Sequence, residues 1–286
     1  MNKVWFITGT STGFGRELAE AALAAGHSVA ATARRPETVA ALADRYGEAV
    51  LPLRLDVTEG DSITAAVAAA QAKFRRIDVL VNNAGFGMVG AVEETSDAEL
   101  RRIFDTNFFG AMAVTRAVLP ILRAQRSGHI LNVSSIGGLT ALFPAFGAYC
   151  ATKFALEAES EALSRELAPF GVHVTIVEPG AFRTEFGGAA NARPAAPLDA
   201  YQGQTAAVSD WMRNIDGKQP GDPKKAAEAM LKVAASGHPP LRLLLGEDAL
   251  AAARQKLDIL KADFDAWEEV TQGTTLPDAT VGTIGG

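Results

Sequence analysis

Short apolar runs rich in β-branched residues alternate with longer Ala-rich stretches along most of this chain, and that alternation restricts the fold more than any other feature. It predicts strands over Val4–Thr8, Val29–Ala33, Leu51–Asp56, Val79–Asn82, His129–Ser134, Val172–Glu178 and Leu241–Leu245. Helices are expected between and after them, over Gly15–Ala25, Asp61–Phe74, Ala98–Arg126, Tyr149–Ala168, Pro223–Ser236 and Ala249–Val270. The strand runs are nearly continuous in apolar residues, as in strands buried on both faces. Strand and helix in turn then imply a Rossmann-type, doubly wound α/β fold: a parallel sheet of about seven strands with helices on both faces. A hydrophobic content of 48% over 286 residues is enough for one large core. One helix start is marked locally, with Asp222 as N-cap and Pro223 in the first helical position.

A single domain is expected over residues 1–270, followed by a tail, 271–286, with little to bury. Residues 186–221 are rich in Gly, Ala, Pro and Asn, and read as a lid loop beside the site. The helix over residues 247–270 carries Leu250, Leu257, Leu260, Phe264 and Trp267 at roughly helical spacing, a face suited to docking on the body or on a second subunit.

Charge and cysteine content exclude several classes. A net charge of −6 argues against binding nucleic acid or an anionic membrane surface. Cys150 is the only cysteine, so neither an intramolecular disulfide nor a cysteine-cluster metal site can form, and no metal is expected. The chain passes from Met1-Asn2-Lys3 straight into a strand, and no apolar run reaches the ~18 residues of a membrane span; a cytoplasmic location is expected.

Two motifs carry chemistry. After the first strand comes Thr8-Gly9-Thr10-Ser11-Thr12-Gly13-Phe14-Gly15, and a helix follows at once. Glycines there let the backbone turn sharply and let a pyrophosphate approach main-chain N–H groups at a helix N-terminus. The spacing is Gly-x-x-x-Gly-x-Gly rather than the commoner Gly-x-Gly-x-x-Gly, and a purely structural turn is the competing reading. The second motif is Tyr149-Cys150-Ala151-Thr152-Lys153, which places a phenol and an ammonium one helical turn apart on one face. An ammonium there would favour the phenolate and pull the Tyr149 pKa down, giving an acid–base pair for an alcohol oxygen. A partly exposed surface pair is the alternative.

Further elements stand in order between and after these motifs: Asn82-Asn83-Ala84-Gly85 after the fourth strand, Ser135 ahead of the Tyr149 helix, and Pro179-Gly180 after the sixth strand. Together they resemble a short-chain dehydrogenase/reductase over about residues 3–185, and in detail the single-domain branch with 17β-hydroxysteroid and retinol dehydrogenase-like members. That resemblance implies a nicotinamide cofactor held by Gly9, Ser11, Thr12, Gly13, Phe14 and Gly15 at the turn. It implies Asp56 and Val57 on the adenine side, and Asn83, Ala84 and Gly85 under the nicotinamide ribose. Pro179, Gly180, Phe182 and Thr184 are implied as further cofactor contacts. It also implies Tyr149 as acid in reduction and base in oxidation, Lys153 as its partner and ribose contact, Ser135 as the group orienting the substrate oxygen, and Asn107 as the holder of a water linking Lys153 to solvent.

In a dinucleotide fold an acidic residue ending the second strand selects NAD. Here that strand ends in Ala33-Arg34-Arg35 with no carboxylate until Glu37, so NADP(H) is expected, with Arg34 as the main contact and Arg35 as a second. A solvated pair of arginines is the competing reading, and Thr12 stands where some NADP-dependent relatives carry a base. Ser135 to Tyr149 spans 14 positions, one more than the family spacing, which leaves Ser134 as an alternative, although Ile136-Gly137-Gly138 favours Ser135. Candidate substrate walls are apolar: Leu139, Leu142, Phe143 and Phe146, then Phe182 and Phe186, with Trp211 and Met212 from the lid. They suit a hydrophobic ketone or alcohol. Relatives of this kind are usually homodimers or homotetramers. The competing functions are a non-catalytic NADP(H)-binding sensor and a nucleotide-sugar epimerase or dehydratase.

Overall fold

The computed structural model describes residues 2–141, 143–187, 191–276, 278–280 and 282. Its strands are β1 (Val4–Ile7), β2 (Ser28–Ala33), β3 (Val50–Arg54), β4 (Val79–Asn82), β5 (Gly87–Met88), β6 (Gly128–Val133), β7 (Val172–Pro179), β8 (Asn191–Ala192) and β9 (Arg242–Leu245). Seven of them form one parallel sheet in the order β3-β2-β1-β4-β6-β7-β9, while β5 and β8 pair separately. The helices are α1 (Gly13–Ala24), α2 (Ala40–Tyr46), α3 (Gly60–Phe74), α4 (Asp97–Phe104), α5 (Ala111–Gln125), α6 (Gly147–Leu167), α7 (Gln202–Ile215), α8 (Pro223–Ala235), α9 (Glu247–Ala266) and α10 (Glu268–Gln272).

Side-chain alternation explains why β1, covered on both faces, is apolar throughout. Trp5 and Ile7 of β1 face α1 and α8, where Leu18, Ala22, Ala227 and Met230 complete one core layer. Phe6, between them, faces the opposite layer with Val67 of α3, Val118 of α5 and Leu163 of α6. From β1 the chain builds outwards in one direction through β2 and β3 and in the other through β4, β6, β7 and β9. That reversal opens a crevice at the carboxyl ends of β1 and β4, where such folds bind ligands.

Four elements differ from the sequence-based expectation. The segment expected to be one helix over residues 98–126 is α4 and α5 joined by a π-helical turn at Asp105–Gly110, which contains Asn107. The lid, expected as a loop, contains α7, whose Val208 and Met212 are buried four residues apart; its Gly- and Pro-rich flanks hid that spacing. The short α2 buries only Leu42, too little for a periodic signal. The last expected helix divides into α9 and α10, and only Ala249, Ala252 and Ala253 of α9 are buried. Leu257, Phe264 and Trp267 therefore stay in solvent in the single chain, Trp267 at 65% exposure. Among the described residues, no helix is long and apolar enough to cross a membrane.

Candidate active site

A continuous cleft of about 1400 Å³ runs across the carboxyl ends of the central strands. Pockets for one small ligand measure roughly 300–1,000 Å³, so this volume accommodates a dinucleotide and a second molecule together. The glycine turn, Arg34, Arg35, Asp56 and Val57 line one end, and Ser135, Tyr149, Lys153, Phe143, Phe146 and Phe186 the other. Asn83, Ala84 and Gly85 lie along the wall between them, as do Pro179, Gly180, Phe182 and Thr184. Gly15 and Asn107 act from behind the cleft surface, and Leu142 lies outside the described residues. Leu139 does not reach the cleft, whereas neighbouring Thr140 does.

The turn after β1 is a cradle that side chains would fill. Gly9 has φ +70°, in the left-handed region that favours glycine. At Gly15 a Cβ would stand 2.3 Å from the Gly9 carbonyl oxygen and 2.5 Å from Asn83 Nδ2. Asn83 locks the turn from β4, its Nδ2 donating to the Thr8 and Gly9 carbonyls, each at 2.9 Å. Thr8 Oγ1 answers by accepting from the Asn83 and Ala84 amides at 2.9 and 3.0 Å. Sequence reasoning missed this role of Thr8; its place immediately before the glycine turn is the only local signal. Thr12 ends the turn extended and makes no side-chain cap at α1, whose first turn holds no acidic residue. The α1 N-terminus thus keeps its amides for an anion such as a pyrophosphate. This donor set fits a dinucleotide.

Exposed Arg34 and Arg35 follow β2 at the same end. Burial pushes the Asp56 carboxyl up, but bonds from the Thr58 amide and hydroxyl, with the charges of Arg34 and Arg54, bring it below its ordinary value. Phe182 lines the cleft and packs edge-to-face on Phe14 of the glycine turn, ring centroids 5.0 Å apart. Asp248, at the start of α9, accepts from the Ala181 amide at 2.7 Å and fixes the Gly180 turn against the cleft. No local motif marks Asp248, because its partner lies on a different element.

At the other end α6 carries Tyr149 and Lys153 inward, both buried. Ser135 is held extended at the end of β6, its hydroxyl accepting from the Gly137 amide at 3.0 Å and lying within reach of the Tyr149 phenol. Ser134 points the other way and donates to Glu157 at 2.6 Å, so geometry separates the two serines. Lys153 Nζ donates to the Val133 carbonyl at 2.8 Å and stands 5.8 Å from the Tyr149 ring centroid. Burial pushes the Tyr149 phenol well above its ordinary value, with Ser135 opposing. The direction is opposite to the depression expected from Lys153: desolvation of the phenolate dominates, and Lys153 is itself buried and turned to the Val133 carbonyl. Burial likewise pushes Lys153 down to about 8 and the Cys150 thiol up to about 11, which leaves Cys150 a packing residue.

Asn107 uses its side chain as a brace. Its amide accepts from the Phe86 N–H at 3.0 Å, donates to the Phe86 carbonyl at 2.9 Å, and reaches Thr152 Oγ1 at 3.2 Å. Aromatic walls surround Tyr149: Phe186 at 5.4 Å and Phe146 at 6.2 Å between ring centroids. Phe143 of the loop stacks on Trp211 of α7 at 5.0 Å across the mouth. The segment leading into α7 is strapped to the body by acidic residues on and before α4. Leu198 N–H donates to Glu94, Ala195 N–H to Glu99 and Tyr201 Oη to Glu93, at 2.9, 2.8 and 2.7 Å.

Residues 3–195 match the family model described as short chain dehydrogenase. An oxidoreductase of Botryotinia fuckeliana, BOA17, is 41% identical over 95% of this chain and 98% of its own length. A 3-ketodihydrosphingosine reductase of Bacteroides thetaiotaomicron is 36% identical over 85% of this chain and 88% of its own. The crystal structure of a short-chain dehydrogenase from Streptomyces avermitilis superposes with a TM-score of 0.91 at 45% identity, over 96% of this chain and all of that one. The seven-stranded sheet with its glycine turn, and likeness over nearly the whole length, lead to one conclusion: the chain belongs to the short-chain dehydrogenase family of oxidoreductases.

Proposed function

We propose that the protein is an NADP(H)-dependent oxidoreductase that interconverts a hydrophobic ketone and its secondary alcohol. The observation that carries this reading is the buried Tyr149 beside Ser135 and Lys153, where the dinucleotide groove meets the aromatic end of the cleft. A nicotinamide bound in the groove supplies or takes up the hydride. Tyr149 gives its proton to the forming alkoxide, and its high pKa keeps the phenol protonated for that step. Ser135 donates to the carbonyl oxygen and aligns it with the phenol. Lys153 supplies the positive charge beside the phenolate left behind. Asn107 serves proton return by holding a water next to Lys153; with its side-chain amide committed to Phe86 and Thr152, that task falls to its main chain.

Arg34 and Arg35 support NADP(H): two exposed guanidinium groups at the end of β2 offer planar donors to a phosphate on the adenosine ribose. The aromatic walls, and the likeness to a reductase named for a keto compound, support an apolar ketone. The test is NADPH oxidation against alicyclic, aryl and long-chain ketones, with NADH in parallel. Turnover is expected with NADPH, and Arg34→Ala should lower kcat/KM for NADPH by roughly 10- to 100-fold, the worth of one charge-assisted hydrogen bond, with little change for NADH. An unchanged cofactor ratio would exclude Arg34 as the selector. Activity on hydrophilic sugars alone would remove the apolar-ketone reading.

The bare apolar face of α9 and α10 supports assembly as a homodimer or homotetramer, since Leu257, Phe264 and Trp267 have no cover among the described residues of one chain. Light scattering at micromolar concentration should give at least twice the monomer mass; a monomer would overturn this reading.

A further inference from the structure

Behind the Tyr149–Lys153 pair lies an ionic cluster, with two of its carboxylates buried, that the proposed reaction leaves without a role. Glu157 stands one helical turn beyond Lys153, so Tyr149, Lys153 and Glu157 share one face of α6. It is only 3% exposed. Its Oε1 accepts from Ser134 Oγ and its Oε2 from the Arg242 guanidinium of β9, each at 2.6 Å. Arg242 also binds Glu178 at the end of β7, which is 1% exposed, and Glu161 of α6 at 2.6 Å. These four, Lys153, Glu161, Glu178 and Arg242, are the charged groups facing Glu157 among the described residues. Room for the Ser134 bond depends on Gly138, where a Cβ would stand 2.1 Å from Glu157 Oε1 and 2.5 Å from Ser134 Oγ.

Two buried carboxylates around one guanidinium are not explained by stability, because well-packed apolar residues of similar volume would serve as well or better in their place. The contacts of the cluster give it another task. Glu157 acts on two of the groups assigned to the chemistry: directly on Lys153 through charge, and on Ser135 through the adjoining Ser134. Burial pulls the Lys153 proton affinity down, and Glu157 is the charge that opposes this fall. Burial and the Glu157 charge also push Glu178 up to about 7.

We propose that Glu157 is a positioning residue, which keeps Lys153 in its ammonium form and, through Ser134, fixes the turn that presents Ser135, while Arg242 anchors it from the last strand. The proposal rests on the roles given above to Ser135, Tyr149 and Lys153. Loss of a neighbouring negative charge makes proton release easier from both Lys153 and Tyr149. Reduction needs both groups protonated. Both shifts therefore move the alkaline limb of its pH profile the same way, to lower pH.

The experiment follows Lys153 itself, by NMR of 13C-lysine-labelled protein without ligand, the resonance being assigned with Lys153→Met. In Glu157→Gln the Lys153 titration should move to lower pH by about one unit. The alkaline limb of kcat/KM for NADPH-dependent reduction should move with it. Glu157→Asp, which keeps the charge, should return both towards the wild type even at reduced turnover. A merely structural role would lower turnover at every pH and leave the titration in place; that result overturns the proposal. Should Glu157→Gln fail to fold, Glu178→Gln removes the second carboxylate and should shift both readouts the same way by less. No shift there overturns the proposal too. A shifted Lys153 titration in a protein that reduces no carbonyl would refute the assigned reaction while leaving the Glu157–Lys153 coupling intact.

Discussion

Replacement of Tyr149 by Phe should lower the turnover of any ketone substrate by about 10²- to 10⁴-fold, the usual contribution of a positioned general acid. The substitution removes one oxygen and keeps the ring, so the contacts to Phe146 and Phe186 persist and the wall of the cleft keeps its shape. NADPH affinity, read by quenching of protein fluorescence, should therefore change by less than about threefold, or ~0.7 kcal/mol. The loss should appear in kcat, because the proton is needed in the transition state and contributes little to ground-state binding. A mutant that keeps more than about a tenth of wild-type turnover would show that another group delivers the proton, since one missing acid costs at least ~10². The two reaction directions should also separate with pH. Burial raises the Tyr149 phenol, so the protonated form required for reduction persists through neutral pH and is lost only on the alkaline side. Oxidation requires the phenolate, and its rate should climb as pH rises over that same alkaline range.

Gly15→Ala should damage both the fold and cofactor binding. The new methyl would lie 2.3 Å from the Gly9 carbonyl oxygen, a backbone atom that Asn83 holds by a hydrogen bond. Nothing there can swing aside as a long side chain would. Overpacking of this kind costs about 1–3 kcal/mol. At roughly 2–4 °C per kcal/mol for a chain of this size, Tm should fall by about 4–8 °C for a cost near the middle of that range. The turn must open to admit the methyl, which moves the amides that face a pyrophosphate, and NADPH affinity should fall at least about tenfold, or ~1.4 kcal/mol. Gly60→Ala is the control. That glycine begins α3 at ordinary φ, and a Cβ there meets nothing within 4 Å, so Tm should hold or rise slightly. Equal losses in the two variants would mean that the close packing under the turn is not what makes Gly15 necessary.

How much of this was legible beforehand divides along a physical line. The sheet is written in the amino-acid pattern: seven apolar runs of the right length, separated by helical stretches, bury their two faces as a parallel doubly wound sheet. The same pattern holds the local chemistry that spacing controls, namely the glycine turn before α1 and the one-turn separation of Tyr149 and Lys153 on α6. Both signals are periodic or contiguous, and so survive without knowledge of the fold.

What depends on residues far apart in sequence emerges in the folded molecule alone. That Ser135 and not Ser134 faces Tyr149 follows from Glu157 on α6 drawing the first serine away. The rise in the Tyr149 pKa, where a fall was expected, is a burial effect, and desolvation is a property of the packed site that no motif records. Helix α7 needed a surface to cover before its spaced Val208 and Met212 had meaning. The Glu157–Arg242–Glu178 cluster joins three elements through charges that are scattered along the chain and meet only where α6, β7 and β9 come together. Spacing along a chain encodes local geometry, whereas solvation and long-range pairing exist only once the chain has closed around them.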